Sequence, residues 1–210
     1  VPDIGKLTER VESSLLKHSK EKIKEIKKCL SAHGHLKVIT IEDILNQIRL
    51  IRMLTKELDA QKFSEISGAE AKKLDAEVCN KISEILSEKE KGIDLSLVQK
   101  YLSWLNWLNR DFTKEIFTTN YDLILERSLE SLQIPYFDGF VGGNEAFFYP
   151  ESIELKNRTE ALPLSWIRMW KLHGSFNWFW KKNKINGDYR VVRMGALAKP
   201  SDANTAELVI

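Results

Sequence analysis

Ile116-Phe117-Thr118-Thr119-Asn120-Tyr121-Asp122 is the stretch whose reading decides the fold. Its first half is β-branched and aromatic, which is the composition of a strand. A helical stripe, Leu125, Leu129 and Leu132, follows at once. A strand feeding directly into a helix is the unit from which parallel α/β sheets are built. The polar run Thr118 to Asp122 therefore falls where a strand ends and a helix begins. Ligands bind at that place in open α/β sheets, because strand ends and helix amino termini converge there. Asn120 or Asp122 would equally well cap the helix that follows, so this segment alone leaves both readings open.

Downstream the strand signals continue. Ile134 to Phe137 is strand-like, and Gly139, Gly142 and Gly143 open a loop. Ile167 to Leu172 reads as another strand, ended by His173-Gly174. Trp178-Phe179-Trp180 and Tyr189 to Val192 flank Asn186-Gly187, a hairpin signal. Leu208 to Ile210 would be a last strand. Upstream, from Lys6 to about Arg110, the periodicity is helical. Leu7, Val11, Leu15, Ile23, Ile26 and Leu30 form one stripe, and Ile41 to Leu58 carries a second behind Thr40 and Asp43, which approximate a capping box. Leu74 to Leu86 forms a third, and Asp94 precedes a fourth with Val98, Leu102 and Leu105. Trp104 and Trp107 on that helix are expected to pack. The expected fold is α/β: a Rossmann-like parallel sheet with a large all-helical insert. Residues 1–5 and 112–210 would form the core, incomplete at both ends, and residues 6–111 the insert. The chain opens without an initiating Met and stops on a strand-like run, so a fragment of a longer protein is expected.

Composition narrows the function. The 210 residues carry 32 Lys plus Arg against 30 Asp plus Glu, and this balance gives no electrostatic case for nucleic acid or an anionic membrane as the main partner. No apolar run approaches the ~20 residues needed to span a bilayer. Cys29 and Cys79 are the only cysteines and stand far apart, so a zinc ribbon or a disulfide framework is excluded on count; no metal ligands are assigned. Both read as small core residues. Val1-Pro2-Asp3 has neither the basic start nor the apolar stretch of a secretory leader, and a cytoplasmic setting is expected.

A second polar constellation, Lys171-Leu172-His173-Gly174-Ser175, also ends a strand. His173 is the one histidine outside the helical half, and a histidine at a strand terminus is placed to act as a general base near neutral pH. His33 and His35 flank Gly34 in a turn and are given no metal role. Taken together the two constellations resemble sirtuins, which carry Thr-Gln-Asn-Ile-Asp at one strand end and Leu-His-Gly at a later one. Thr118-Thr119-Asn120-Tyr121-Asp122 and Leu172-His173-Gly174 stand in that order here, and Val1-Pro2-Asp3 is similar to the Ile-Pro-Asp that follows the family's glycine-rich loop. The wording is closest to bacterial sirtuin-like NAD-hydrolysing domains of antiphage defence.

The resemblance implies NAD as substrate, with Asn120 and His173 as the catalytic pair. Asp122 would hold the nicotinamide carboxamide, and Asn120 would orient the ribose hydroxyls or the attacking water. His173 would take the proton. Thr119 aligns with the family's ribose-contacting Gln, Asp3 borders the nicotinamide pocket, and Thr118, Gly174 and Ser175 complete the candidate binding set. There is no zinc-binding CxxC pair and no Val-x-Phe-Gly-Glu stretch after His173, which argues against protein deacylation. The expected activity is an NAD hydrolase that depletes NAD in antiphage defence by abortive infection. The alternatives are a non-catalytic module sensing NAD or ADP-ribose, and an ADP-ribosyltransferase using the same site. An unrestrained NAD hydrolase would kill its host, so a homo-oligomer and a regulatory partner, an ATPase or a nucleic-acid sensor, are expected. The aromatic run Phe176, Trp178, Phe179 and Trp180 is expected to cover the sheet or an oligomer interface.

Overall fold

The structure is a computed structural model and describes residues 3–33, 38–63, 65–108, 111–143, 145–153, 163, 165–182, 187–195 and 206–208. The chain divides into two compact units, residues 1–86 and 87–210.

The first unit is helical. It holds α1 (Ile4–Ser14), α2 (Lys17–His33), α3 (Ile41–Thr55) and most of α4 (Gly68–Glu90), with a small antiparallel hairpin of β1 (Lys62–Phe63) and β2 (Ile66–Ser67). The first apolar stripe read from the sequence is split between two helices, because Leu15 adopts extended backbone and ends α1. Both helices nevertheless bury their share of it, Leu7, Val11, Ile23 and Ile26 all being at most 3% exposed. The capping box is present: the Thr40 hydroxyl accepts from the Asp43 N–H at 3.4 Å, and the Asp43 carboxylate accepts from the Thr40 N–H at 2.8 Å. Reciprocal bonds of this kind satisfy two amide donors that the first turn of a helix leaves orphaned. The α3 stripe is buried through Ile41, Ile44, Leu45, Ile48 and Ile51, whereas Leu54 and Leu58 are about half exposed. Cys79 is buried as expected, and burial pushes its thiol well above the ordinary range, while Cys29 is only half-buried.

The second unit holds the sheets. Among the described residues its elements are α5 (Ser96–Trp107), β3 (Lys114–Thr118), α6 (Ile124–Ser131), β4 (Tyr136–Phe137), β5 (Phe140–Val141), β6 (Ala146–Phe148), β7 (Ile167–Lys171), β8 (Trp178–Lys182), β9 (Tyr189–Arg193) and β10 (Ala206–Leu208), with a 3-10 turn at Pro150–Ser152. A parallel sheet runs in the order β3-β7-β4, with Lys114 opposite Ile167 and Thr118 opposite Lys171. Parallel strands need a crossover connection, and α6 supplies the one from β3 to β4, the two strands that flank β7. Alternate residues of β7 point to one face, where Ile167 and Met169 are fully buried against Leu102 of α5 and Leu129 of α6. Lys171 occupies the next position on that buried face.

The remaining strands form a five-stranded antiparallel sheet, β10-β8-β9-β6-β5. Only its β8–β9 hairpin and, within a residue or two, β10 were legible as strands; β5 and β6 lie where a glycine loop was expected. They are two and three residues long, too short for an alternation of polar and apolar residues to register. Gly139 is needed at the turn into β5: its φ is +86°, and a Cβ there would meet the Phe148 ring at 2.6 Å. Gly187 takes φ +77° before β9, while its expected turn partner Asn186 lies outside the described residues, as do Val209 and Ile210.

Trp104 and Trp107 depart from expectation. They are 55% and 83% exposed, because α5 packs through Val98, Leu102 and Leu105, roughly 100° or more around the helix from them. The aromatic run divides: Phe176 and Trp178 are buried, Phe179 is half-buried and Trp180 is exposed at 43%. Among the described residues no helix is long and apolar enough to cross a membrane.

Candidate active site

The parallel register brings the two constellations to one edge. Because Thr118 lies opposite Lys171, the chain leaves both strands at the same level, and the Leu172 N–H donates to the Thr118 carbonyl at 2.9 Å. Two further bonds tie the departing segments. The Phe176 N–H donates to the Tyr121 carbonyl at 3.1 Å, and the Ser175 hydroxyl reaches the same oxygen at 3.1 Å. The Tyr121 and His173 rings stand 6.3 Å apart, centre to centre. Gly174 takes φ +88°, a left-handed conformation that a residue with a Cβ adopts only with strain, and this turn leads from the exposed His173 to the fully buried Ser175.

Within the first segment Thr119 and Asn120 are exposed, and the Asn120 N–H donates to the Thr118 hydroxyl at 3.1 Å. Asp122 stands one residue before Leu123, the N-cap of α6, and turns the chain into the helix: one carboxylate oxygen, Oδ1, accepts from the Ile124 N–H at 3.1 Å. Its other oxygen, Oδ2, is buried with no donor among the described residues. An acceptor left so costs ~1–3 kcal/mol, and an amide N–H offered by a ligand would relieve it. The bond to the helix start thus uses one oxygen of the side chain and leaves the other available to a donor.

Behind the edge lies a buried charge cluster that the sequence reading missed. The Lys171 ammonium donates to the Asp122 carbonyl, to Glu126 Oε1 at 2.8 Å and to the Ser175 hydroxyl at 2.9 Å. On the other side of the same segment, Glu90 accepts from the Leu123 N–H at 2.6 Å and faces Arg127 at 3.6 Å. Burial raises the carboxyl of Glu126 above the ordinary Glu value. Burial also raises Glu90, with the charges of Asp122 and Glu126 adding to the shift and the Leu123 N–H and Arg127 opposing it.

A folded-state value above the ordinary 4.5 means that the native protein holds this proton more tightly than the unfolded chain does. The stabilisation is present at acid pH and is lost as pH rises through and above that value. Glu90→Gln keeps an acceptor for Leu123 but cannot ionise. Its thermal midpoint is expected to fall less than that of the wild type between about pH 4 and pH 8; parallel curves would contradict this.

Asp3 lies in the first unit, where its carboxylate caps α1 by accepting from the Lys6 N–H at 3.0 Å. That hydrogen bond holds its carboxyl below the ordinary range. Val1 and Pro2 are outside the described residues, as are Gly34 and His35.

Residues 114–193 match the family model of the SIR2-like domain. The match begins on the first residue of β3 and ends on the last of β9, so it takes in both strand-end segments, Lys171 with its three acceptors, and the β8–β9 hairpin. It supports a sirtuin-like domain over this part of the chain, with a Rossmann-like parallel sheet, and it is consistent with NAD-dependent activity in general. Among curated proteins no relative matches the chain.

Proposed function

We propose that the protein is an NAD hydrolase, releasing nicotinamide and ADP-ribose at the shared carboxyl edge of β3 and β7. The observation that carries this reading is the Thr118–Lys171 register, which delivers Asn120, Asp122, His173 and Ser175 from adjacent strand ends. The SIR2-like match over the same residues supplies the substrate class.

Asp122 meets the requirement for holding the nicotinamide carboxamide through its buried, undonated oxygen. Thr119 takes the place of the family's ribose-contacting Gln, and Thr118 and Gly174 complete the binding set at the strand ends. In the reaction the bond from the ribose anomeric carbon to the nicotinamide nitrogen breaks, and its electron pair neutralises the pyridinium as nicotinamide leaves. The ribose passes through an oxocarbenium-like state, which water attacks. Asn120 orients that water or the ribose hydroxyls, and His173 accepts the water's proton as the new C–O bond forms. Placing the attacking water and the anomeric carbon together converts an encounter into a positioned step. Depletion of NAD in antiphage defence is the biological role that fits this chemistry, with activity gated by self-assembly or by a partner protein.

The test is product analysis with the intact protein, alone and with any protein encoded beside it. Nicotinamide and free ADP-ribose should appear in equal amounts, and Asn120→Ala should abolish both. ADP-ribose appearing on protein instead would make it a transferase; tight NAD binding without product in either condition would make it a sensor.

A further inference from the structure

We infer that Lys171 is a positioning residue for this site: its buried ammonium holds the segment carrying Asn120 and Asp122 and the segment carrying His173 in one arrangement. The inference rests on the NAD-cleaving reading for its kinetic consequence, but the geometry stands without it.

Lys171 lies where an apolar residue belongs. It follows Ile167 and Met169 on the helix-covered face of β7, and its side chain is only 1% exposed. An ammonium has three protons to donate. Here three acceptors surround it, each from a different place: the Asp122 carbonyl at the end of the first segment, Ser175 in the second, and Glu126 in the first turn of α6. Ser175 passes the link on, since its hydroxyl reaches the Tyr121 carbonyl. Backbone on both sides of Asp122 and on both sides of His173 is thereby tied to one nitrogen.

Stability does not account for the arrangement. Desolvating an ammonium and a carboxylate is costly, and replacing such a buried pair by apolar groups of similar volume is often neutral or stabilising. A methionine would continue the Ile167–Met169 stripe. What it would not do is aim two carbonyls and a hydroxyl. Misplacement of reacting groups by about 1 Å costs on the order of 10²-fold in rate, so a group that fixes both segments governs turnover without touching substrate.

The decisive variant is the double substitution Lys171→Met with Glu126→Gln in the intact protein, which removes both charges of the buried pair together. The expected result is a thermal midpoint close to that of the wild type, with kcat for NAD reduced about 10²-fold and KM changed much less. Hydrogen exchange at the Phe176 amide, which bridges the segments, should accelerate. Wild-type kcat in the folded double variant overturns the inference. Ser175→Ala, a small change at a buried site, decides the matter if the double variant does not fold: roughly fivefold faster exchange at Phe176 is expected, and unchanged exchange overturns the inference. Exchange needs no NAD. An intact wild-type protein that leaves NAD uncleaved would therefore defeat the functional reading, while the exchange result would still decide the role of Lys171.

Discussion

His173→Ala is expected to lower NAD turnover by about 10²–10⁴-fold, the range that general-base help supplies, while leaving the protein folded. The separation of the two effects follows from where His173 sits. Its side chain is exposed beyond the end of β7, outside the buried cluster of Ile167, Met169 and Leu129. Substitutions at such positions usually change stability by no more than ~0.5 kcal/mol. The assay is nicotinamide release alongside thermal unfolding. Unchanged turnover would remove the base from the mechanism, and a large loss of stability would mean that the residue is structural.

Ile167→Ala is expected to cost about 2–5 kcal/mol of stability, the usual range for emptying a buried aliphatic site. Ile167 is fully buried and opens the central strand of the parallel sheet, facing Lys114 on one side and Tyr136 on the other. Its side chain packs in the cluster that joins α5 and α6 to the sheet, so the cavity left behind lies under both helices. The measurement is urea unfolding followed by tryptophan fluorescence. All six tryptophans fall in the second unit, so the signal reports that unit. A loss under ~1 kcal/mol would show that the site collapses around the smaller side chain, and that the cluster does not hold the sheet together.

The helical unit and the ends of β3 and β7 were legible because their signals are local. The Thr40–Asp43 box and the Ile116 to Asp122 switch from strand to helix are each set by residues a few positions apart. The antiparallel sheet was harder, since β5 and β6 gain their pairing from partners well along the chain and have too few residues to show a period. Trp104 and Trp107 misled because apolar character on α5 is spread over two faces, and only the Val98–Leu102–Leu105 face packs. Lys171 was quoted within its motif but given no role. A lysine in a run such as Arg168-Met169-Trp170-Lys171 reads as exposed, and two of its three acceptors sit 45 and 49 positions earlier, at Glu126 and Asp122. Buried charge is a tertiary property, and strand periodicity alone does not reveal what will surround it. Asp122 read as helix cap or ligand group; it sits one residue before the cap, with one oxygen bonded to the Ile124 N–H and the other without a donor among the described residues.

The most direct test of the shared site is a crystal structure of the intact protein carrying His173→Ala, in which slow turnover preserves bound NAD. The nicotinamide carboxamide is predicted on the free oxygen of Asp122, with the anomeric carbon of the adjoining ribose between Asn120 and the vacated position of residue 173. NAD seated away from the β3–β7 edge, or nicotinamide turned from Asp122, would contradict the account.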